Sequence, residues 1–322
     1  MTLKTPLRLP TDWEPACCDS PSEINYTTED GFRRYRDVEY AIVDGYRPLL
    51  LDLMIPADAN KPAPLIIFIH GGAWLAGSKN FRSRDVDDRR PLFARLFEEG
   101  YAVATIQYRL SAEATFPAQV HDVKAATRWL RNAAPALGLD ADRIGSVGES
   151  AGGYLSLFLG SNTSDPVLEG EVGMTGLSSS IAASVAWYPA TRLDTLQEET
   201  LPGSPFPDHG AATSPSSLLI GVAVSEQPEL ARRASPITHI NQATAPTLLI
   251  HGTLDQLVPH QQSIAYHEAL QAEGVPSELH LIEGADHGFF GGDVDAIVDL
   301  TVAFLNARLC RGRARGTEEV HV

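Results

Sequence analysis

Only three of the 322 residues are cysteine: Cys17, Cys18 and Cys310. The first two are chain neighbours that could close only a strained ring, so no disulfide framework exists and the chain reads as one for a reducing compartment. Basic residues are also few: 25 Lys and Arg stand against 41 Asp and Glu, a formal net charge of −16. Such acidity repels phosphate backbones and anionic lipid, which argues against nucleic acid and membrane surfaces as partners. No apolar run approaches the ~20 residues that span a bilayer. Met1–Glu14 lacks the basic start and apolar stretch of a secretory leader, so the expected location is cytoplasmic. Metal-ligand spacing and H-E-x-x-H are both missing, so no metal and no cofactor is expected.

What remains is ordinary core-forming material, 43% apolar and 20% charged, in a length that suits one large α/β domain. Residues 1–36 have no sustained period and read as an N-terminal arm. Strands are expected at 37–43 and 49–55, joined by a hairpin at Asp44-Gly45. An alternation follows: strand 65–69, helix 91–99, strand 101–107, helix 117–133 and strand 143–148. Val120, Val123, Thr127 and Leu130 share one face of the longer helix. Later strands fall at 182–188, 246–251 and 278–283, with helices at 261–273 and 294–308. Near-continuous apolar strands between helices imply a mostly parallel sheet with helices on both faces, a domain spanning 37–308. The stretch 191–235 breaks the rhythm, rich in Pro, Ser and Gly with one weak helix near 228–234. Loops of that length inside a domain are usually lids or binding elements. The charged tail 309–322 reads as solvated.

The chemistry centres on Gly148-Glu149-Ser150-Ala151-Gly152, a G-x-S-x-G between a strand and a helix. A serine on that turn projects its hydroxyl, and a flanking Cβ would collide. The string alone occurs by chance in about one chain in ten of this length, so its partners decide. A serine hydroxyl needs a base, and the base needs an orienting acid. His287, in Gly284-Ala285-Asp286-His287-Gly288, follows one late strand; Asp255, in Gly252-Thr253-Leu254-Asp255, follows another. The order Ser150, Asp255, His287 is that of α/β-hydrolases. Asp286 adjoins His287 too closely to reach its ring, and Asp293 and Asp295 read as helix-start acids. His121-Asp122 sits on no strand end and reads as structural. An oxyanion needs N–H donors, supplied by Gly71 and Gly72 after strand 65–69 and by Ala151 at the helix start. Trp74 is a candidate pocket wall.

His70-Gly71-Gly72-Ala73-Trp74, Gly148-Glu149-Ser150-Ala151-Gly152-Gly153, His251-Gly252-Thr253-Leu254-Asp255 and Asp286-His287-Gly288-Phe289 together resemble the α/β-hydrolase esterase and lipase group. Tyr108-Arg109-Leu110, Phe116-Pro117 and Ala234-Ser235-Pro236-Ile237 are similar to its branch of bacterial acetylxylan/feruloyl esterases and kynurenine formamidases. The resemblance covers about 37–308 and implies an eight-stranded α/β-hydrolase sheet with a small cap or lid insertion. It also implies the Ser150, Asp255, His287 triad and the hole donors Gly71, Gly72 and Ala151. Many relatives carry Asp where this chain has Glu149. The expected activity is a serine carboxylesterase on a small-molecule ester, rising through pH ~6 to 7.5 as the imidazole becomes neutral. An arylformamidase or an acyltransferase on the same triad, and a non-enzymatic binding protein, are the alternatives.

Overall fold

The computed structural model describes residues 20–21, 24–43, 47–57, 61–80, 90–163, 165–206 and 208–310. Its sheet contains β1 (Thr27–Glu29), β2 (Phe32–Ala41), β3 (Leu49–Pro56), β4 (Ala63–Ile69), β5 (Ala102–Ile106), β6 (Leu139–Glu149), β7 (Ala183–Trp187), β8 (Thr247–Gly252) and β9 (Ser277–Ile282). Their spatial order is β1-β2-β3-β5-β4-β6-β7-β8-β9. The pairs β1-β2, β2-β3 and β3-β5 are antiparallel, and every neighbouring pair from β5 to β9 is parallel.

The sheet is thus the mostly parallel one expected, with nine strands among the described residues rather than eight. The addition is β1, inside the stretch read as an arm. It pairs with β2 across Asp30-Gly31, whose φ values of 52° and 79° both lie in the left-handed region that a two-residue hairpin requires. All three of its residues are exposed, so it shows no alternation to read. β2 and β3 do pair antiparallel, while the Asp44-Gly45 turn, most of the arm and the tail from 311 lie outside the described residues.

Helices among the described residues are α1 (Arg90–Glu98), α2 (Ala118–Leu137), α3 (Ala151–Gly160), α4 (Pro166–Glu169), α5 (Leu196–Glu199), α6 (Pro215–Ile220), α7 (Pro228–Arg233), α8 (Gln261–Ala272) and α9 (Val294–Leu309). One face of the sheet packs against α2 and α3, where Trp129, Leu130, Tyr154 and Phe158 meet Ile67 and Ile69. The opposite face packs against α1 and α9, with Leu92, Leu96, Val298 and Leu305 against Val147, Val185 and Leu248. Every residue of β4, β5, β7 and β8 is buried, which is why these strands read as unbroken apolar runs. α2 extends past the expected end, through Pro135, and Gly138, at φ 74°, ends it.

The insertion at 191–235 is not a bare loop. It carries α5, α6 and α7, of which only α7 was expected from the sequence. Four- and six-residue helices are too short to display a period. Ser214 caps α6 by accepting from the Ser217 N–H, and Gly221 closes it. Leu193, Leu196, Leu219, Ile220 and Ala231 are buried in the main core. Gln262 of α8 accepts from the Thr191 and Arg192 N–H groups at 2.7 Å, pinning the start of the insertion. No helix among the described residues is long and apolar enough to cross a membrane.

Candidate active site

β4 lies at the centre, between β5 and β6, where the strand order reverses. Ligand crevices in open α/β sheets form outside the carboxyl ends of strands at such a point. Ile69 pairs with Gly148, so the loop leaving β4 runs beside the turn leaving β6. That turn is a single residue, Ser150, between β6 and α3, with φ 51° and ψ −119°. A non-glycine residue there stores of order 1–3 kcal/mol of strain. The surroundings hold it: Ser150 donates its N–H to Trp187 O at 2.9 Å and accepts at its carbonyl from Tyr154 N–H at 3.0 Å. The glycines answer close approach: a Cβ on Gly148 would lie 2.0 Å from Gly152 O, and one on Gly152 would lie 2.0 Å from Ile69 O.

β8 and β9 pair up to Gly252 and Ile282, so the loops that follow emerge together. They bring the three expected side chains into one line. The Ser150 hydroxyl lies 3.1 Å from His287 Nε2, and His287 Nδ1 lies 2.8 Å from Asp255 Oδ2. A carboxylate only accepts, so Nδ1 carries the proton and Nε2 offers its lone pair to the serine. Asp255 is 1% exposed. Its Oδ1 accepts from the Leu257 and Val258 N–H groups at 2.9 and 2.8 Å. Burial pushes this carboxyl up, but hydrogen bonds from His251 and His287 outweigh it and hold it below the usual carboxylate range. It is therefore charged wherever the imidazole works.

The β4 loop departs from expectation at two positions. Gly71 gives its N–H to Glu149 Oε1 at 3.3 Å instead of aiming it at the serine. Glu149 is buried, and its Oε2 accepts from the Tyr188 hydroxyl at 3.1 Å. The carboxylate before the nucleophile thus ties the loop to Tyr188, whose ring meets His287 edge-on at 4.6 Å. Gly72 and Ala73 line the same cavity as Ser150. Trp74, expected as a wall, is buried away from that cavity with its ring against Tyr154 at 4.9 Å. The loop passes here through positive φ at both Ala73 and Trp74, 54° and 59°.

The cavity measures about 980 Å³. Its apolar walls come from Pro205 and Phe206 of the insertion, Leu257, and Phe289 and Phe290 beyond the histidine. Phe289 and Phe290, which adjoin the histidine motif, were legible as walls; Pro205, Phe206 and Leu257 carry no local motif, and Phe206 reaches the site only through the path of the insertion. The other candidates are structural. Asp122 is fully buried and takes four hydrogen bonds from Arg109. Asp286 accepts from the Gln256 and His287 N–H groups, and Asp293 caps α9. No group of His, Cys, Asp or Glu able to hold a metal occurs among the described residues.

His70, at the head of the β4 loop, stacks on Tyr108 at 4.3 Å and bonds Gly71 O through Nδ1. Burial lowers its pKa to about 4, with the Gly71 bond a weaker opposing effect. An imidazole in the unfolded chain titrates near 6.5, so the unfolded state takes the proton first. The stability that His70 contributes is complete above about pH 6.5 and is lost as pH falls toward 4. At pH 5 the loss is about 2 kcal/mol. Urea unfolding at pH 7 and pH 5 measures it, and a His70→Phe variant should show the shallower fall.

Residues 51–270 match the BD-FAE family. The chain is 32% identical to Esterase LipC of Mycobacterium tuberculosis over 84% of its own length, and spans 65% of that protein. Among solved structures it resembles a truncated carbohydrate esterase from gut microbiota, at TM-score 0.75 and 27% identity, covering 91% of this chain and all of the other. It also resembles Thermogutta terrifontis esterase 2 phosphorylated by paraoxon, at TM-score 0.63 and 26% identity, covering 86% and 94% of the two chains. With an α/β-hydrolase sheet, a serine elbow and a family match over most of its length, this chain belongs to the BD-FAE family of α/β-hydrolases.

Proposed function

We propose that the protein is a serine carboxylesterase for small carboxylic esters. The observation that carries this reading is the hydrogen-bonded line from Ser150 through His287 to buried Asp255, opening on the cavity. His287 Nε2 takes the hydroxyl proton as Ser150 Oγ bonds to the ester carbonyl carbon. The resulting oxyanion faces the loop after β4 and the start of α3. Gly72, Ala73 and Ala151 are the proposed donors, since Gly71 is committed to Glu149 and the first N–H groups of a helix have no acceptor within it. The imidazolium returns its proton to the departing alcohol, leaving an acyl-serine. Water, deprotonated by the same imidazole, then releases the acid and restores the hydroxyl. No cofactor enters these steps.

A cavity of about 980 Å³ lies at the upper end of small-molecule sites. The insertion serves as a fixed wall through Pro205 and Phe206, because its buried leucines anchor it in the core. The sparse cysteines support a cytoplasmic setting. The test is a panel: p-nitrophenyl esters of increasing acyl length, an acetylated sugar and N-formylkynurenine. We expect kcat/KM on short-chain esters to exceed that on the formamide by at least tenfold. A formamide preferred over every ester would replace this reading with the arylformamidase one.

A further inference from the structure

Asp255 carries a second histidine. His251, at the end of β8 and fully buried, places Nε2 3.3 Å from Asp255 Oδ2, the oxygen that already receives His287 Nδ1–H at 2.8 Å. Its tautomer is fixed by its neighbours. Nε2 lies 2.8 Å from Val258 O, a carbonyl that can only accept, so Nε2 bears the hydrogen. Nδ1 lies 2.7 Å from Ser263 Oγ, whose hydroxyl therefore donates to it. The Nε2–H bonds Val258 O, with Asp255 Oδ2 as a second, longer neighbour of the same nitrogen.

We propose that His251 is a positioning residue that shares Oδ2 with His287 and so limits the basicity of the catalytic imidazole. This rests on the triad reading above. A second donor on one carboxylate oxygen draws charge from it, and the bond to His287 weakens most when His287 is an imidazolium. The imidazolium is then stabilised less than it would be by an oxygen that His287 alone occupied. Ser263 on α8 sets the device by orienting the His251 ring.

Other groups face this corner, and His260 among them interacts with His251 itself. His260, with Glu283 near it, lies on the His251 side. Toward His287 stand Tyr188, tied to Glu149, and Asp286, tied to two backbone N–H groups. His251→Leu and His251→Gln remove the same imidazole from beside His260, so a difference between these two variants reports the shared oxygen.

The readout is the rate at which a fluorophosphonate labels Ser150, measured from pH 4.5 to 8.5 on the full chain. Labelling needs the serine and its base but no particular ester. Failed ester turnover with intact labelling would sink only the substrate assignment, and absent labelling would sink the triad reading. His251→Leu removes the donor, and the acid limb should move up by about half a unit to one unit. His251→Gln places an amide nitrogen where Nε2 stood, with one hydrogen for each acceptor, and should restore the wild-type limb. Ser263→Ala frees the ring and should give an intermediate shift. An unmoved limb in His251→Leu, with labelling reduced evenly at all pH values, would mean that His251 only packs. Should His251→Leu not fold, an unmoved limb in Ser263→Ala overturns the proposal.

Discussion

Ser150→Ala should lower kcat for ester hydrolysis by roughly a millionfold, about 8 kcal/mol of transition-state stabilisation. The substitution deletes one oxygen and little else. Alanine can occupy the strained turn, because the bonds that hold it are backbone ones: Ser150 N–H to Trp187 O and Tyr154 N–H to Ser150 O. The melting temperature should therefore stay within a few degrees of wild type. The hole donors survive, so turnover should remain about a thousandfold or more above that in water. Steady-state kinetics beside a thermal melt separates the two effects. A variant that melts normally and retains more than a hundredth of the activity would show that another group attacks the carbonyl. Fluorophosphonate incorporation should vanish at the same time, since the hydroxyl is the only atom it could modify at that turn.

The proposed triad was legible because its members sit where chain and strand geometry coincide. Ser150 lies between glycines that close approach demands, and Asp255 and His287 follow strands that end side by side. The parallel sheet was legible from apolar runs that mark strands covered on both faces. What escaped depends on contacts across space. Nothing in the spacing of Gly71 tells that Glu149 reaches back to take its N–H. Trp74 reads as a wall, but its ring is buried against Tyr154, a contact that its place in the sequence does not announce. Tyr188 and His251 lie inside apolar strand patterns, and their partners sit 39 and 12 residues away. β1, α5 and α6 are shorter than any period that could announce them.

Asp255→Asn should reduce kcat by roughly ten-thousandfold with KM little changed. The argument runs through the two oxygens. Oδ1 accepts from the Leu257 and Val258 N–H groups, so the amide of an asparagine would turn its carbonyl oxygen toward them. Its NH2 would then occupy the place of Oδ2, facing His287 Nδ1 and His251 Nε2. A donor in that place turns Nδ1 of His287 into an acceptor and moves the ring proton to Nε2. That nitrogen can then no longer take the serine proton, and the imidazolium loses the negative charge that stabilises it. The wild-type carboxylate, held below the usual range, does not protonate across the working pH, so only substitution exposes this dependence. Raising the pH should recover part of the rate, as hydroxide supplies what the base no longer can. Comparison of kcat at pH 7 and pH 10 for wild type and variant tests this. A loss below tenfold would mean that the ring is oriented without Asp255, and a loss confined to KM would mean that the residue serves binding alone.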